Sequence, residues 1–225
     1  MTAGVAPVVE PVALFGHWIC PYSVRVEFAL AQLGYAYAVI DVPPTAARPK
    51  GYVVPEEFLA HSPRHEIPMI REGGRYLADS LPILERLYGA RGGCTPEQVE
   101  IARWIDASAF GPMVGVYYGT DAGRIAAASA ALADALVGVA DRLGGRAWLV
   151  GREPTMAEAA LVPVYVRLEG LRALGFTDPV PEAVIEHAER CLALPGGRVA
   201  AWSEAQQSEF VRRFTTFRAR RAASG

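Results

Sequence analysis

The sequence has little lysine, little cysteine and almost no net charge. Lys50 is the only lysine among 22 basic residues, which nearly balance 24 acidic residues and leave a formal charge of −2. A near-neutral chain lacks the positive field on which sequence-independent nucleic-acid binding depends. Its 52% hydrophobic content also excludes intrinsic disorder. We therefore expect a folded protein with no nucleic-acid partner.

The cysteines form no recognisable framework. Cys20, Cys94 and Cys191 are odd in number and far apart, and no C-x-x-C pair occurs. The four histidines complete no metal-ligand spacing, so no metal site is predicted. Because disulfide-stapled folds belong to oxidising compartments, this pattern favours a reduced, cytoplasmic protein in which at most one thiol has a chemical role.

No targeting segment or membrane span is predicted. The first eleven residues are small and apolar, but they contain Glu10 and two prolines and have no basic leader. No apolar run reaches the roughly 18 residues that a membrane span requires. We expect a soluble protein with no membrane partner.

Up to Gly89 the sequence alternates between strand and helix patterns. A strand, a helix and a second strand form a βαβ unit, which implies a parallel pair with a crossover helix. A proline-rich loop and a short helix follow, then two strands around Gly73-Gly74 and a helix that begins at Asp79-Ser80. The predicted strands are 12–15, 35–42, 67–70 and 76–78, and the predicted helices are 23–33, 56–61 and 79–88.

After Gly89 the strand signals almost vanish, and Gly/Pro breaks separate helical patterns. The sequence thus predicts two domains, an α/β domain over residues 1–90 and an all-α domain over residues 96–225. The predicted helices of the second domain are 96–118, 121–143, 155–174, 182–194 and 200–214.

Cys20 is the sharpest candidate for chemistry. It lies where a strand gives way to a helix, so the unpaired N–H groups of the first helical turn would stabilise a thiolate. Pro21 suits the first helical position because it has no N–H to lose. Ser23 stands where a dithiol enzyme would have its second cysteine, so the site can form a mixed disulfide but cannot close an internal one. The alternative is a buried, inert cysteine, which is common among free thiols.

Two further motifs follow along the chain. Ile67-Pro68 opens a strand, and a cis bond there would leave the backbone of Ile67 free to pair with an extended ligand, whereas an ordinary trans proline at a strand edge is the alternative. Asp79-Ser80 begins a helix, where N–H groups and a hydroxyl can bind an anion. Helix capping explains the same pair without a ligand.

These features, in this order and spacing, resemble the glutathione S-transferase superfamily. The resemblance covers nearly the whole chain and is clearest over residues 11–34, 55–87 and 148–164. It implies a thioredoxin-like N-terminal domain, an all-α C-terminal domain that forms the electrophile pocket, and a homodimer. It also implies a cofactor, glutathione or another low-molecular-weight thiol.

The resemblance implies roles for individual residues. Cys20, followed by Pro21 and an aromatic residue, is similar to the catalytic position of the cysteine-type, omega-like classes. Ile67 before Pro68 matches the residue whose backbone pairs with the cysteinyl part of glutathione. Asp79 and Ser80 match the acidic-Ser pair that holds the γ-glutamyl group. Residues 155–158 match a buried capping box that the family uses for folding.

The chain also departs from the family pattern. Asp79 is shorter than the usual Glu, and Glu66 puts an anion where many members have a cation for the glycyl carboxylate. Lys50 or Arg48, in the proline-rich loop, is a candidate replacement for that cation. These departures leave open whether the thiol is glutathione.

Substrate-binding residues are harder to predict, because generic apolar residues line such pockets. Met113 and Tyr117 follow helical spacing on the first helix of the second domain, where core packing is the usual explanation. In the resembling family this helix borders the electrophile pocket, so both are candidate substrate contacts, together with Tyr22. The arginine-rich tail 212–221 favours a solvated helix end over a nucleic-acid contact.

The predicted function is a glutathione S-transferase-like enzyme acting on a small hydrophobic electrophile or a glutathione conjugate. Cys20, with Ser23, would support thiol transfer, thioether cleavage or conjugation. The alternatives are a glutathione-dependent isomerase or lyase in catabolism or secondary metabolism, and a non-catalytic binding module on the same fold.

Overall fold

The computed structural model describes residues 10–223. The predicted domain limits at residues 1 and 225 lie outside this range, as do nine of the eleven N-terminal residues predicted to lack a leader. A thioredoxin-like α/β domain comes first and a helical domain follows, as predicted. The elements of the first domain are β1 (Val12–Gly16), α1 (Pro21–Gln32), β2 (Tyr37–Asp41), α2 (Glu56–His61), β3 (Met69–Glu72), β4 (Arg75–Ala78) and α3 (Ser80–Gly89).

The strands form one mixed sheet in the order β2-β1-β3-β4. β1 is central, and all of its residues are buried. It pairs in parallel with β2, where Val12 lies opposite Tyr37, and antiparallel with β3, where Leu14 lies opposite Ile70. α1 is the crossover between the two parallel strands, as the βαβ pattern predicts. The chain therefore leaves the end of β1 toward α1 through the short turn that holds Cys20.

The second domain is helical throughout its described part. A single π-helical turn, Asp106–Phe110, interrupts the predicted helix 96–118, as such bulges do inside α-helices. The helices are α4 (Pro96–Ile105), α5 (Gly111–Tyr118), α6 (Ala122–Leu143), α7 (Met156–Ala173), α8 (Glu182–Ala193), α9 (Pro195–Ala200) and α10 (Glu204–Ala222).

The prediction for the C-terminal helices is wrong in two places. Gly196 and Gly197 do not lie in a loop between helices but belong to α9. A Cβ on Gly196 would come within 2.4 Å of the Phe28 carbonyl oxygen, and a Cβ on Gly197 would come within 2.1 Å of the Cys191 carbonyl oxygen. Glycine is thus required for α9 to pack closely on α1 and α8. The predicted helix 200–214 instead begins at Glu204 and continues through the arginine-rich tail.

α7 forms the centre of the helical domain, with most of its residues buried. The predicted capping box at its start is confirmed, because Thr155 and Glu158 satisfy each other's backbone donors. The Glu158 carboxylate also accepts a hydrogen bond from the backbone N–H of Leu149 at 2.7 Å. These bonds tie the preceding loop to the helix inside the core.

α6 is the one helix within residues 10–223 that is long and apolar enough to cross a membrane by length and composition alone. Its Leu132, Leu136 and Val139 are fully buried against the other helices. Such a stripe is typical of a helix packed on a protein core. The lack of a membrane span stays a prediction.

Candidate active site

Cys20 occupies the N-cap position of α1, directly after the turn that follows β1. Its backbone N–H donates to the carbonyl of His17 at 3.0 Å, and its own carbonyl accepts from Ser23 and Val24 in the first helical turn. The residue is 8% exposed, and its sulfur lies 3.9 Å from the carbonyl oxygen of Ile67. The thiol therefore has an ordered backbone around it and a small opening to solvent.

A polar cavity of about 590 Å³ opens on one side of Cys20. It is formed mainly by loops of the N-terminal domain, together with the start of α3 and one residue of the π-helical turn. Its charged side chains are balanced in sign. They are Arg25, Arg48, Arg64, Glu66, Asp79 and Asp106.

Arg25 is the buried anchor of this cavity. Its guanidinium donates to the Asp106 carboxylate at 2.8 Å and to the Ser80 hydroxyl oxygen at 2.5 Å. It also lies 5.0 Å from the ring centroids of Tyr22 and Phe110, which is cation–π distance. Burial lowers the pKa of Arg25, and the neighbouring Asp106 carboxylate opposes that shift. The result is a fixed positive charge that joins α1, α3 and the π-helical turn.

The opposite rim of the cavity carries a second set of charges and two unusual backbone conformations. Arg64 bonds the carboxylates of both Glu66 and Asp79. His65 and Asp79 are the only non-glycine residues between 10 and 223 with positive φ, at 53° and 70°. Such conformations cost of order 1–3 kcal/mol each and cluster at functional sites. Both residues line the polar cavity, which marks it independently of its charges.

An apolar cavity of about 340 Å³ opens on the other side of Cys20. α5 and α10 supply one side of its wall and the first domain supplies the other, and Tyr22 lines both cavities. Burial raises the pKa of Tyr22 and of Tyr117, so both are neutral phenols at physiological pH. The aromatic residues that line this cavity are Tyr22, Tyr117, Tyr118, Phe214 and Phe217.

Comparison with known proteins identifies the first domain. Residues 14–95 match the family model for the glutathione S-transferase N-terminal domain. Over this range the chain is similar to glutathione S-transferases. A search of curated protein sequences gave no match.

Solved structures extend the glutathione S-transferase likeness to the whole fold. Glutathione transferase Omega 3C from Trametes versicolor has 17% identity and a TM-score of 0.74, covering 96% of this chain and 94% of its own. Rice GST1 in complex with glutathione has 18% identity and a TM-score of 0.77, covering 93% and 97%. A possible glutathione S-transferase from Rhodopseudomonas palustris has 20% identity and a TM-score of 0.68, covering 86% and 100%. The chain thus has the glutathione S-transferase fold over both domains.

The structure brings together most of the site residues that the glutathione S-transferase resemblance implies. Cys20, Tyr22, Ile67, Pro68, Asp79 and Ser80 all line the polar cavity. The Ile67–Pro68 bond is cis. The backbone N–H of Ile67 has no hydrogen-bond partner among residues 10–223. Tyr117 lines the apolar cavity, as expected for a substrate contact.

Three predicted residues lie elsewhere. Ser23 is buried in α1 and lines neither cavity. Its side chain packs against Gly16, where an added Cβ would lie only 3.1 Å from it. Met113 is fully buried in the core of the helical domain, so it has no surface for a substrate. Lys50 is exposed and lies beyond the rim, whereas Arg48 lines the polar cavity.

Several cavity residues were missed from sequence. Arg25 and Arg64 look like ordinary surface arginines, and only the packing of α1 against the π-helical turn shows that Arg25 is buried. The tail, predicted to be solvated, instead brings Phe214 and Phe217 against Tyr118 at ring-centroid distances of 5.0 and 5.2 Å. Their spacing of three residues on a helix was the available signal.

Proposed function

We propose that this protein is a glutathione-dependent thiol transferase in which Cys20 is the nucleophile. The observation that carries the proposal is the place of the Cys20 sulfur, at the boundary between a charge-balanced polar cavity and an aromatic cavity. A tripeptide thiol and an apolar partner can thus reach the same sulfur from two sides. The glutathione held by rice GST1 supports this ligand for the fold.

The polar cavity suits glutathione because that molecule carries an ammonium group and two carboxylates. Asp79 offers a carboxylate for the ammonium, and Ser80 has a hydroxyl hydrogen for the neighbouring carboxylate, since its oxygen accepts from Arg25. The free N–H of Ile67 would pair with the cysteinyl carbonyl. Arg48 or Arg64 would hold the glycyl carboxylate, a role predicted for Lys50 or Arg48.

The proposed reaction is thiol–disulfide exchange. The Cys20 thiolate attacks a sulfur of a mixed disulfide between glutathione and an apolar thiol. A new S–S bond forms to glutathione, the old S–S bond breaks, and the apolar group leaves as a thiolate. With a glutathione thioether, the C–S bond breaks instead, and the carbon takes the electron pair and a proton. The N–H groups at the start of α1 favour the attacking thiolate.

A second thiol must complete the cycle from solution. Cys94 and Cys191 line neither of the cavities that meet at Cys20. Burial raises the pKa of both thiols, so neither is a ready nucleophile. Free glutathione would attack the Cys20–glutathione disulfide, release glutathione disulfide and regenerate the Cys20 thiolate.

Two alternatives each have an observation in their favour. The aromatic cavity suits an electrophile that reacts with glutathione itself, with Cys20 acting only as a hydrogen-bond donor; conjugation, isomerisation or a lyase reaction would then follow. The bond from Arg64 to Asp79 occupies the carboxylate expected to hold the ammonium group, which favours a non-catalytic module.

Replacement of Cys20 by serine separates these functions. We expect Cys20→Ser to abolish glutathione-dependent reduction of a small aromatic disulfide, while Cys94→Ser, the matched control, keeps wild-type activity. Full activity of Cys20→Ser would contradict the nucleophile proposal and favour the hydrogen-bond route. No activity in either protein, and no thermal shift with glutathione, would favour the non-catalytic module. A homodimer is a proposal from the same resemblance, and light scattering tests it. A cytoplasmic location is a proposal from the sparse, unpaired cysteines.

A further inference from the structure

Arg167 is a second buried arginine near Cys20, and it comes from the helical domain. It lies on α7 with no exposed surface. One guanidinium nitrogen donates to the carbonyl of Pro163 at 2.9 Å, and the other donates to the carbonyl of Ile19 at 2.8 Å. Ile19 directly precedes Cys20, so α7 reaches across the domain boundary to the turn that holds the thiol.

Arg167 differs from Arg25 in having no carboxylate partner. Arg25 is paired with Asp106, whereas no salt bridge to Arg167 occurs within residues 10–223. The guanidinium also packs on the ring of Trp202, whose centroid lies 4.7 Å from the guanidinium carbon. A buried charge without a counter-ion is costly, because desolvation is not repaid by an opposite charge. The carbonyls of Pro163 and Ile19 need only hydrogen-bond donors, so these two bonds do not by themselves explain why a charged group is buried here.

The carbonyl of Ile19 completes the hydrogen bonding of the Cys20 turn. The N–H of Ile19 donates to the His17 ring, and the N–H of Cys20 donates to the His17 carbonyl. Arg167 donates to the Ile19 carbonyl, which lies between these two N–H groups along the chain. The peptide group that joins Ile19 to Cys20 is thereby held at both ends, its N–H by the turn and its oxygen by α7.

The electrostatic partners of Arg167 are on the cavity side. Burial lowers the pKa of Arg167 to about 10, and Tyr117 and Cys20 act in the opposite direction by favouring its charged form. Arg167 is thus charged at neutral pH. Because burial raises the pKa of Tyr117, that phenol stays neutral. The Cys20 thiolate is then the anion that this charge can stabilise.

We propose that Arg167 is a positioning residue for Cys20, which holds the Ile19 carbonyl and supplies a buried positive charge that favours the Cys20 thiolate. The helical domain thereby takes part in activating a thiol that belongs to the other domain. The inference rests on Cys20 being the reactive group of the proposed function. Its test uses a reagent that needs no glutathione, so the two can fail separately.

Two substitutions separate the charge from the hydrogen bond. Arg167→Lys keeps the positive charge, whereas Arg167→Gln keeps a donor for the Ile19 carbonyl but removes the charge. Arg172→Gln is the matched control, since Arg172 is an exposed arginine on the same helix. Each protein is treated with iodoacetamide, whose iodide the thiolate displaces. Peptide mass spectrometry then gives the rate at Cys20 apart from Cys94 and Cys191.

We expect Arg167→Gln to alkylate about tenfold more slowly than wild type at pH 7 and to recover most of the difference at pH 9, where thiolate forms without help. Arg167→Lys and the control should stay within about threefold of wild type, the scatter expected when charge is kept. Wild-type reactivity of Arg167→Gln would overturn the proposal. Equal losses in both Arg167 variants at both pH values would also overturn it, because they would indicate a brace without an electrostatic role.

The other titratable groups around Cys20 do not interfere with this comparison of alkylation rates at pH 7 and pH 9. Arg25 keeps its charge throughout, and His17 is neutral above pH 7 because burial lowers its pKa. The phenols that interact with Cys20 have raised pKa values; they are Tyr22, Tyr117 and Tyr118.

A further measurement keeps the proposal testable if Arg167→Gln does not fold. Arg167→Met replaces the buried charge with an apolar chain of similar length, a change that buried sites often tolerate. Its alkylation rate at Cys20 should also fall about tenfold at pH 7, since the positive charge is gone. Wild-type reactivity of this variant would contradict the proposal.

Discussion

The two cavities at Cys20 differ in what builds them and in what holds them open. The polar cavity is made largely of loop residues and is held by ion pairs, with Arg25 at its base and Arg64 at its rim. The apolar cavity is made largely of helix residues and is held by aromatic packing between α5 and α10. One sulfur thus faces a region suited to a fixed, charged cosubstrate and another suited to variable apolar partners.

This difference also shows where binding specificity would come from. Charged hydrogen bonds are directional, so the polar cavity can select one arrangement of ammonium and carboxylate groups. Aromatic walls bury area without demanding a particular geometry, so the apolar cavity selects by size and shape. Substitutions confined to one cavity should therefore affect one kind of ligand and not the other.

The largest effect is expected from breaking the buried ion pair of the polar cavity. Asp106→Asn leaves the Arg25 charge buried without its carboxylate counter-ion. We expect this to destabilise the protein by about 3 kcal/mol, at the low end for a buried pair because Asp106 itself is partly exposed. Urea denaturation measures the loss. The control is Glu85→Gln, which breaks the exposed pair with Arg103 and should cost less than about 1 kcal/mol. Equal losses would mean that Arg25 contributes no more than a surface residue.

A smaller, reciprocal effect is expected from one substitution in each cavity. Ser80→Ala should raise the KM for glutathione about tenfold, the cost of one hydrogen bond to a charged group, and leave the KM for an aromatic disulfide unchanged. Phe217→Ala should do the reverse, by a similar factor of about ten for lost aromatic contact. Steady-state kinetics with each substrate varied in turn gives both values. If either variant changes both constants equally, the two cavities do not act as separate sites.

A third comparison concerns the loop between β2 and α2. Arg48 lines the polar cavity, whereas Lys50 lies outside it. We expect Arg48→Ala to weaken glutathione binding about threefold, as for a partly exposed charge, and Lys50→Ala to have no effect. Isothermal titration with glutathione measures both. A loss in Lys50→Ala alone would restore the assignment made from sequence.

The smallest effect concerns the turn that joins the two cavities. His17 accepts a hydrogen bond from the Ile19 N–H through Nδ1, and burial lowers its pKa, with the nearby Asp41 carboxylate opposing the shift. Because the folded pKa lies below the unfolded value, the unfolded state binds the proton more tightly. Stability from this group is therefore present above pH 6.5 and lost as pH falls below it.

The substitution His17→Gln tests this pH dependence, since Gln can accept the same bond without titrating. Thermal unfolding between pH 5 and 7.5 should show a smaller drop in Tm for the variant than for wild type. Identical pH profiles would exclude His17 as the cause.

The sequence predicted much of the N-terminal domain and of the polar cavity, because these depend on local signals. The βαβ pattern, the Gly73-Gly74 turn and the position of Cys20 before Pro21 are each readable within a few residues. The capping box at Thr155 is equally local. These features were predicted with correct element order and bounds that differ by only a few residues.

What could not be predicted depends on contacts between distant segments. Arg25 and Arg167 are buried only because other elements pack over them, and a single sequence gives no sign of such burial for arginine. Met113 was a candidate substrate contact because its helix borders the electrophile pocket in the resembling family. Helical spacing does not show which residues of such a helix face the pocket and which face the core. The end of the chain was predicted as solvated because its arginines outnumber its two phenylalanines, yet those rings close the apolar cavity.

The central claim is that the Cys20 thiolate exchanges into a disulfide of glutathione, forming an S–S bond to one glutathionyl sulfur and releasing the other as a thiolate. Incubation of the reduced protein with glutathione disulfide, followed by peptide mass spectrometry, tests this claim directly. We expect one glutathionyl group on the peptide that contains Cys20, removable by dithiothreitol, with Cys94 and Cys191 unmodified. Absence of the adduct on Cys20, or equal modification of Cys94, would contradict it.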